Sequence, residues 1–212
     1  MALLTTPIIL LEYQGYTKLY SDVSEYSIAY FLLSIVLFLI FTDSSIYWIH
    51  RLEHDIPLVY KYCSIEAATT EELTFFPSSF GPRYIHKPHH AWYVPTPYAA
   101  IAFHPVDGWV QSLPYHLFPF IFPLHKILYL GLFVFVQLWT ISIHDNVDFK
   151  PGSVVNGALH HTYHHSKFNY NYGQFFTFWD QIGGTYLDPY KELAKELEAE
   201  KKAGQKGTKK QQ

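Results

Sequence analysis

Residues 160–165 read His-His-Thr-Tyr-His-His, four imidazoles in six positions. Imidazole is the commonest protein ligand for zinc, copper and iron, and it binds through a neutral ring nitrogen. On a helix, His161 precedes His164 by three residues and His165 by four, so the three rings share one face. His160 is then the spare. A second cluster upstream, His86-Lys87-Pro88-His89-His90, repeats the spacing, and a looser one, His50-Arg51-Leu52-Glu53-His54, precedes that. Eight repeated imidazoles exceed the four ligands of a tetrahedral zinc and suit two metals sharing one site. His144 is a candidate ninth ligand. The donor type leaves iron, copper and zinc open. Iron with open positions activates dioxygen, and two irons together can deliver the electrons needed to break an unactivated C–H bond.

Glu53, Asp107, Asp145 and Asp180 lie close to these clusters or at turns. They are candidates for fixing histidine tautomers by accepting a hydrogen bond from the second ring nitrogen. Other histidines fit packing roles: His116 and His125 in apolar surroundings, and His104 before a proline in a turn. Arg51 reads equally well as a cation snorkelling at a membrane edge. The single Cys63 excludes an intrachain disulfide framework and a thiolate-rich metal site. A net charge of -3 with only 16% charged residues offers no basic stripe for nucleic acid.

The elements that must position these residues are mostly apolar. Tyr26–Phe41 is sixteen residues without a charge, and with Ser45–Ile49 it approaches the length a bilayer demands, interrupted by Asp43. His50 and His54 then fall just beyond its membrane end, and the aromatic flanks suit the interface. Residues 109–139 are apolar and aromatic but punctuated by Pro114, Pro119 and Pro123. They predict two short or re-entrant helices meeting near Phe122–Lys126. Ile127–Ile143, seventeen residues without a charge, is a second span that ends at His144-Asp145. Residues 103–108 read as a turn, and residues 63–83, with Pro77, Gly81 and Pro82, as a loop. Residues 1–25 form a mixed lead-in without the basic start of a signal peptide. Residues 190–212 read as a short solvated helix fraying into a disordered tail. Histidines thus recur where apolar helices end. The fold class expected is all-α: an integral membrane helical bundle with a histidine-rich di-metal cap in one domain of ordinary size.

HRLEH (50–54), HKPHH (86–90) and HHTYHH (160–165) resemble the three histidine boxes of the membrane fatty acid hydroxylase and sterol desaturase superfamily. The words around them, FTDSSIYWIHR (41–51), VPTPYAAIAFHPVDGWVQSLPYHLFPFIFPLHK (94–126), WTISIHDN (139–146) and NYNYGQFFTFWDQIGG (169–184), are similar to its C-5 sterol desaturase branch. The resemblance runs over about residues 7–188 apart from the loop. It implies a multi-pass protein of the endoplasmic reticulum membrane whose non-haem di-iron centre and C-terminus face the cytosol. The implied reaction inserts the C5=C6 double bond of a Δ7-sterol and reduces O2 to water. Electrons would come from NAD(P)H through cytochrome b5 and its reductase, so no Gly-rich nicotinamide motif is expected in this chain.

The iron ligands carried over are His50, His54, His86, His89, His90, His161, His164 and His165. His144 occupies a position that supplies an extra ligand in related hydroxylases. The resemblance makes 26–188 the catalytic domain and 189–212 a Lys-rich cytosolic tail. Residues 1–25 become a lead-in without the family's upstream membrane segment, and 63–83 an inserted loop, either a retained intron or lineage-specific. Lys209-Lys210-Gln211-Gln212 has the form of a dilysine retrieval signal. Two alternatives stay open: a superfamily hydroxylase of sterol or acyl chains, and a truncated, inactive membrane homologue.

Overall fold

The computed structural model describes residues 2–56, 85–149 and 152–209. The chain opens on α1 (Ala2–Tyr13), passes β1 (Leu19–Tyr20) and a 3-10 turn at Val23–Glu25, and enters α2 (Ile28–Asp55). Ser27 starts α2, its hydroxyl accepting from the Tyr30 N–H at 3.2 Å; this satisfies a donor that a helix start leaves without an intrahelical partner. From there 28 residues run without a break, about 42 Å at 1.5 Å per residue. The apolar run and the first histidine pair are therefore one helix, with His50 and His54 on its last turns.

Helix α3 (Pro105–Ile121) and helix α4 (Lys126–His144) meet across residues 122–125, where the prolines predict a break. Within that connection β2 (Leu124–His125) pairs in parallel with β1, Leu19 opposite Leu124 and Tyr20 opposite His125. Lys18 donates its backbone N–H to the Pro119 carbonyl at 2.7 Å and its ammonium to the Ile121 carbonyl at 2.8 Å, and Tyr30 donates its hydroxyl to the Pro123 carbonyl at 2.9 Å. The starts of α2 and α4 are thus pinned together at one end of the bundle. Both helices run away from it towards histidines, and α3 runs back between them. Phe38 and Ile46 of α2, Tyr115 and Phe118 of α3, and Leu132 and Val136 of α4 close the buried core, with Leu124 at its base.

Helices α2 and α4 are each long and apolar enough to cross a membrane, yet only 22% of each apolar stretch is buried. A core helix of a water-soluble protein hides most of such a stretch; here Ile28, Leu32, Val36, Ile127, Leu130 and Leu138 face outward. Such a broad exposed apolar belt is what a lipid surround covers. Beyond α4 come α5 (Ala158–Lys167), α6 (Phe178–Gly183) and α7 (Pro189–Lys209).

Three expectations change. Residues 103–108 are not a turn: Pro105 occupies the first turn of α3, where its missing N–H costs nothing, and the His104 ring caps the helix by accepting from the Val106 N–H. Part of the mixed lead-in is helical, α1 being apolar with Pro7 inside it and no residue buried. The tail is not a short frayed helix. Helix α7 runs through Lys209, held to α5 by Tyr163 donating to Glu196 at 2.8 Å and by Lys167 beside Glu192 and Glu196. The predicted loop at 63–83 and Lys210 of the dilysine signal lie outside the described residues. Helices dominate as expected, and the only sheet among the described residues is the two-residue β1–β2 pair.

Candidate metal centre

Four elements bring the repeated histidines together. Helix α2 contributes His50 and His54 one turn apart, the 86–91 segment His86, His89 and His90, α4 its last residue His144, and α5 His161, His164 and His165. All nine are buried. They sort into two groups. His50, His54, His86, His90 and His164 place one ring nitrogen each within 4.8 Å of all the others, and so do His89, His144, His161 and His165. The second and third clusters are each divided between the two groups: the pair four apart stays together, His86 with His90 and His161 with His165, while His89 and His164 join the opposite group.

The hydrogen-bond pattern states what these nitrogens lack. A carbonyl oxygen only accepts, so a ring nitrogen bonded to one must carry the hydrogen. This holds for Nδ1 of His50 on Tyr172 O at 3.0 Å, of His144 on Thr140 O at 2.6 Å, of His164 on Tyr170 O at 2.7 Å and of His165 on Trp92 O at 3.0 Å. His86 Nδ1 does the same on the Asp107 carboxylate at 2.9 Å. In the neutral ring the other nitrogen, Nε2, is then a bare lone pair. His50 Nε2 and His86 Nε2 stand 3.2 Å apart, lone pair against lone pair. With both rings neutral no hydrogen bond can relieve that contact, whereas a cation between the rings does. Neutrality is secured by burial, which holds His89, His90, His161 and His164 well below the usual imidazole range, reinforced by neighbouring imidazoles. His165 is pushed down to about 3 for the same reasons. Buried imidazole nitrogens in two groups, five of the rings oriented through Nδ1, fit metal binding.

Carboxylates and backbone hold the rings. Glu53 and Asp107 flank His86, at 3.7 and 2.9 Å. Beyond the groups lies an open-mouthed cleft of about 180 Å³. His50, His89, His144 and His161 form its floor, and Ile46, Phe103 and Ile143 are among its apolar walls.

Residues 35–185 match the fatty acid hydroxylase family. That stretch takes in every histidine of both groups. The chain belongs to this family. It is 49% identical over 191 residues to a lathosterol oxidase of Rattus norvegicus, covering 87% of this chain and 56% of the relative. The human lathosterol oxidase is 48% identical over 195 residues, covering 89% and 57%. A Delta(7)-sterol 5(6)-desaturase of Aspergillus fumigatus is 51% identical over 195 residues, covering 91% and 51%. The chain spans about half the length of these curated relatives. No solved structure matches it.

Within this member of the fatty acid hydroxylase family, the remaining candidates separate by geometry. His160 lies in neither group; its Nε2 is 3.6 Å from Asp180. His116 meets the Tyr129 hydroxyl at 3.1 Å, and His125 caps α4 while its Nε2 donates to Ser21 O at 3.0 Å. Arg51 does not snorkel freely: it donates to the Gly183 carbonyl at 2.8 Å and to the Tyr47 hydroxyl at 3.1 Å.

Of the four acidic candidates, Asp107 binds a ring directly and Glu53 stands beside the same ring. Asp145 does neither, accepting instead from the Val147 N–H at 2.8 Å. Asp180 holds no grouped histidine; it accepts from the backbone of Tyr172 and Gly173 at 2.8 and 2.9 Å. It acts on the site through the Tyr172 carbonyl that orients His50. Asp43, read from sequence only as an interruption of a span, does parallel work by accepting from Phe175 and Phe176 N–H at 2.7 and 3.2 Å. The available signal was its place in an apolar helix, where an ionisable group is expensive and marks function.

Proposed function

We propose that this chain is a Δ7-sterol C-5(6) desaturase working with two non-haem irons. His50, His54, His86, His90 and His164 would hold one, and His89, His144, His161 and His165 the other. The observation that carries the proposal is the pair of buried all-imidazole groups flooring an apolar cleft. The names of relatives sharing about half its residues point to the substrate. Five imidazoles around one position exceed what tetrahedral zinc takes, which favours iron.

Inserting the double bond removes one hydrogen each from C-5 and C-6, two electrons and two protons in all. Reducing O2 to two waters takes four of each, so two electrons and two protons must come from outside the substrate. Bound iron supplies the oxidising power against the C–H bonds. The chain's own residues do the rest. Asp107 and the carbonyls of Thr140, Tyr170, Tyr172 and Trp92 keep five rings in the tautomer whose lone pair points inward. Burial excludes water, and the apolar walls align a rigid ring system against the histidines.

The outside electrons suit a membrane haem donor, cytochrome b5 with its NAD(P)H-dependent reductase. We place the chain in the endoplasmic reticulum membrane as a multi-pass protein, with the histidine end and the C-terminus in the cytosol. Residues 26–188 form its catalytic domain and 189–212 its Lys-rich tail. The common direction of α2 and α4 supports this arrangement, since it carries His50, His54 and His144 to one end.

Expression in yeast lacking its own C-5 desaturase tests the reading. Δ7-sterols should fall as Δ5,7-sterols appear, and the purified chain should carry about two irons, one per histidine group. Unchanged Δ7-sterols in the presence of iron-loaded protein would sink it, and a hydroxylated product would select a sister activity of the family.

A further inference from the structure

Most polar side chains of the cleft satisfy one another. Gln174 Oε1 accepts from the Tyr115 hydroxyl at 2.8 Å, and its amide nitrogen donates to Thr140 Oγ1 at 2.7 Å. Ser112 donates to the Trp109 carbonyl at 2.8 Å. Gln111 differs. Its Nε2 donates to Asp107 Oδ1 at 2.7 Å and to Glu53 Oε2 at 3.1 Å. Carboxylate oxygens accept, so these two contacts use both amide hydrogens and fix which way the amide faces. What remains is Oε1, an acceptor without a hydrogen-bond partner among the described residues, on a half-buried side chain that lines the cleft.

Substrate geometry decides what such an acceptor is for. In the desaturation proposed above, C-5 and C-6 must come to the histidine floor. The 3-hydroxyl oxygen is separated from C-5 by three bonds of about 1.5 Å, so it lies within about 4 Å of that carbon. Whatever binds the hydroxyl must therefore sit beside the histidines and not at the mouth. Gln111 does, one helical turn after Asp107, whose other oxygen holds His86. By contrast Gln137, also on the lining, lies two turns before His144 along α4.

We infer that Gln111 Oε1 accepts a hydrogen bond from the 3-hydroxyl of a Δ7-sterol and sets the register that presents C-5 and C-6, and not neighbouring carbons, to the histidine floor. The inference rests on the desaturase reading for its substrate. It makes the site selective for a donor at C-3: an alcohol fits, while a ketone of nearly the same shape offers a second acceptor to an acceptor.

The test uses the full chain in membranes, with lathosterol, its 3-ketone and its 3-deoxy analogue as ligands, measuring both binding and turnover. Wild type should bind both analogues on the order of tenfold more weakly than the alcohol, the worth of one hydrogen bond. Gln111→Leu should lose about that factor on lathosterol and little on the analogues, so that discrimination collapses. Equal wild-type affinity for alcohol and ketone overturns the inference with no variant needed, which covers the case of a Gln111→Leu chain that fails to fold. A uniform loss on all three ligands also overturns it. Selective binding of the alcohol without C-5 desaturated product would instead sink the desaturase reading and leave the hydroxyl site standing.

Discussion

Histidine 86 shows how one hydrogen decides the use of a ring. With Nδ1–H committed to Asp107, Nε2 faces its neighbours as a lone pair. In Asp107→Asn, the new side chain can present an N–H where an acceptor stood, favouring the wrong tautomer. Losing such a partner costs 10–100-fold in metal affinity or activity, and metal content against activity of the purified variant measures it. A metal content and rate equal to wild type would show that His86 needs no help. Acid acts on the same atoms. Burial depresses His89, His90, His161, His164 and His165 in the folded chain, the last to about 3, from an ordinary value of 6.5. Above pH ~6.5 both folded and unfolded rings are neutral and add no slope of their own. Below it the unfolded chain binds protons that the folded chain refuses, so the metal-free protein should lose stability steadily towards pH ~3. Burial raises the Asp180 carboxyl to about 6, a smaller effect of opposite sign. Thermal unfolding of chelator-treated protein at pH 7, 6, 5 and 4 should show the midpoint falling below pH ~6; a midpoint higher at pH 4 than at pH 7 would contradict the buried, neutral rings.

At the scale of elements, the segment 169–177 governs more than its letters announce. It has little regular structure, yet Asp180 grips its front through Tyr172 and Gly173, Asp43 its back through Phe175 and Phe176, and Trp139 donates to the Gln174 carbonyl. Gly173 admits no side chain: a Cβ there would stand 2.5 Å from the Phe176 carbonyl oxygen and 2.8 Å from Asp180 Oδ2. The clamped segment then offers the Tyr170 and Tyr172 carbonyls to His164 and His50. Asp180→Ala strands two buried N–H groups at about 1–3 kcal/mol each, so a loss of about 2–6 kcal/mol is expected in denaturant or thermal melts. Activity should fall further than folding explains, because His50 loses its anchor. The histidines were legible in sequence, since metal chelation imposes a local spacing that a helix translates directly into a shared face. The second ring nitrogen's partner was not legible. Four of those partners are carbonyls at 92, 140, 170 and 172, and a backbone oxygen leaves no mark in the residue type that carries it. Asp43 was visible as an oddity in an apolar run, but its partner lies more than a hundred residues away.

Taken whole, the molecule has two unlike ends joined by apolar helices. At one end β1 and β2 pair and Lys18 grips the close of α3; at the other are the nine imidazoles, with α7 lying against α5. Helix α2 spans about 42 Å by its 28 residues, enough to carry His50 and His54 clear of a hydrocarbon layer of roughly 30 Å. A water-soluble protein of this size would not leave Ile28, Leu32, Val36, Ile127, Leu130 and Leu138 outward. If the belt is set in a bilayer, Tyr16 and Glu198, both exposed, lie on opposite sides of it. Two single-cysteine chains, Tyr16→Cys and Glu198→Cys, each in a Cys63→Ser background, separate the possibilities in sealed reticulum vesicles with a membrane-impermeant maleimide. Glu198→Cys should label at once and Tyr16→Cys only after detergent. Labelling of both without detergent would mean that the belt is covered by protein instead of lipid; the reverse order would put the histidine end in the lumen, away from cytosolic reductant.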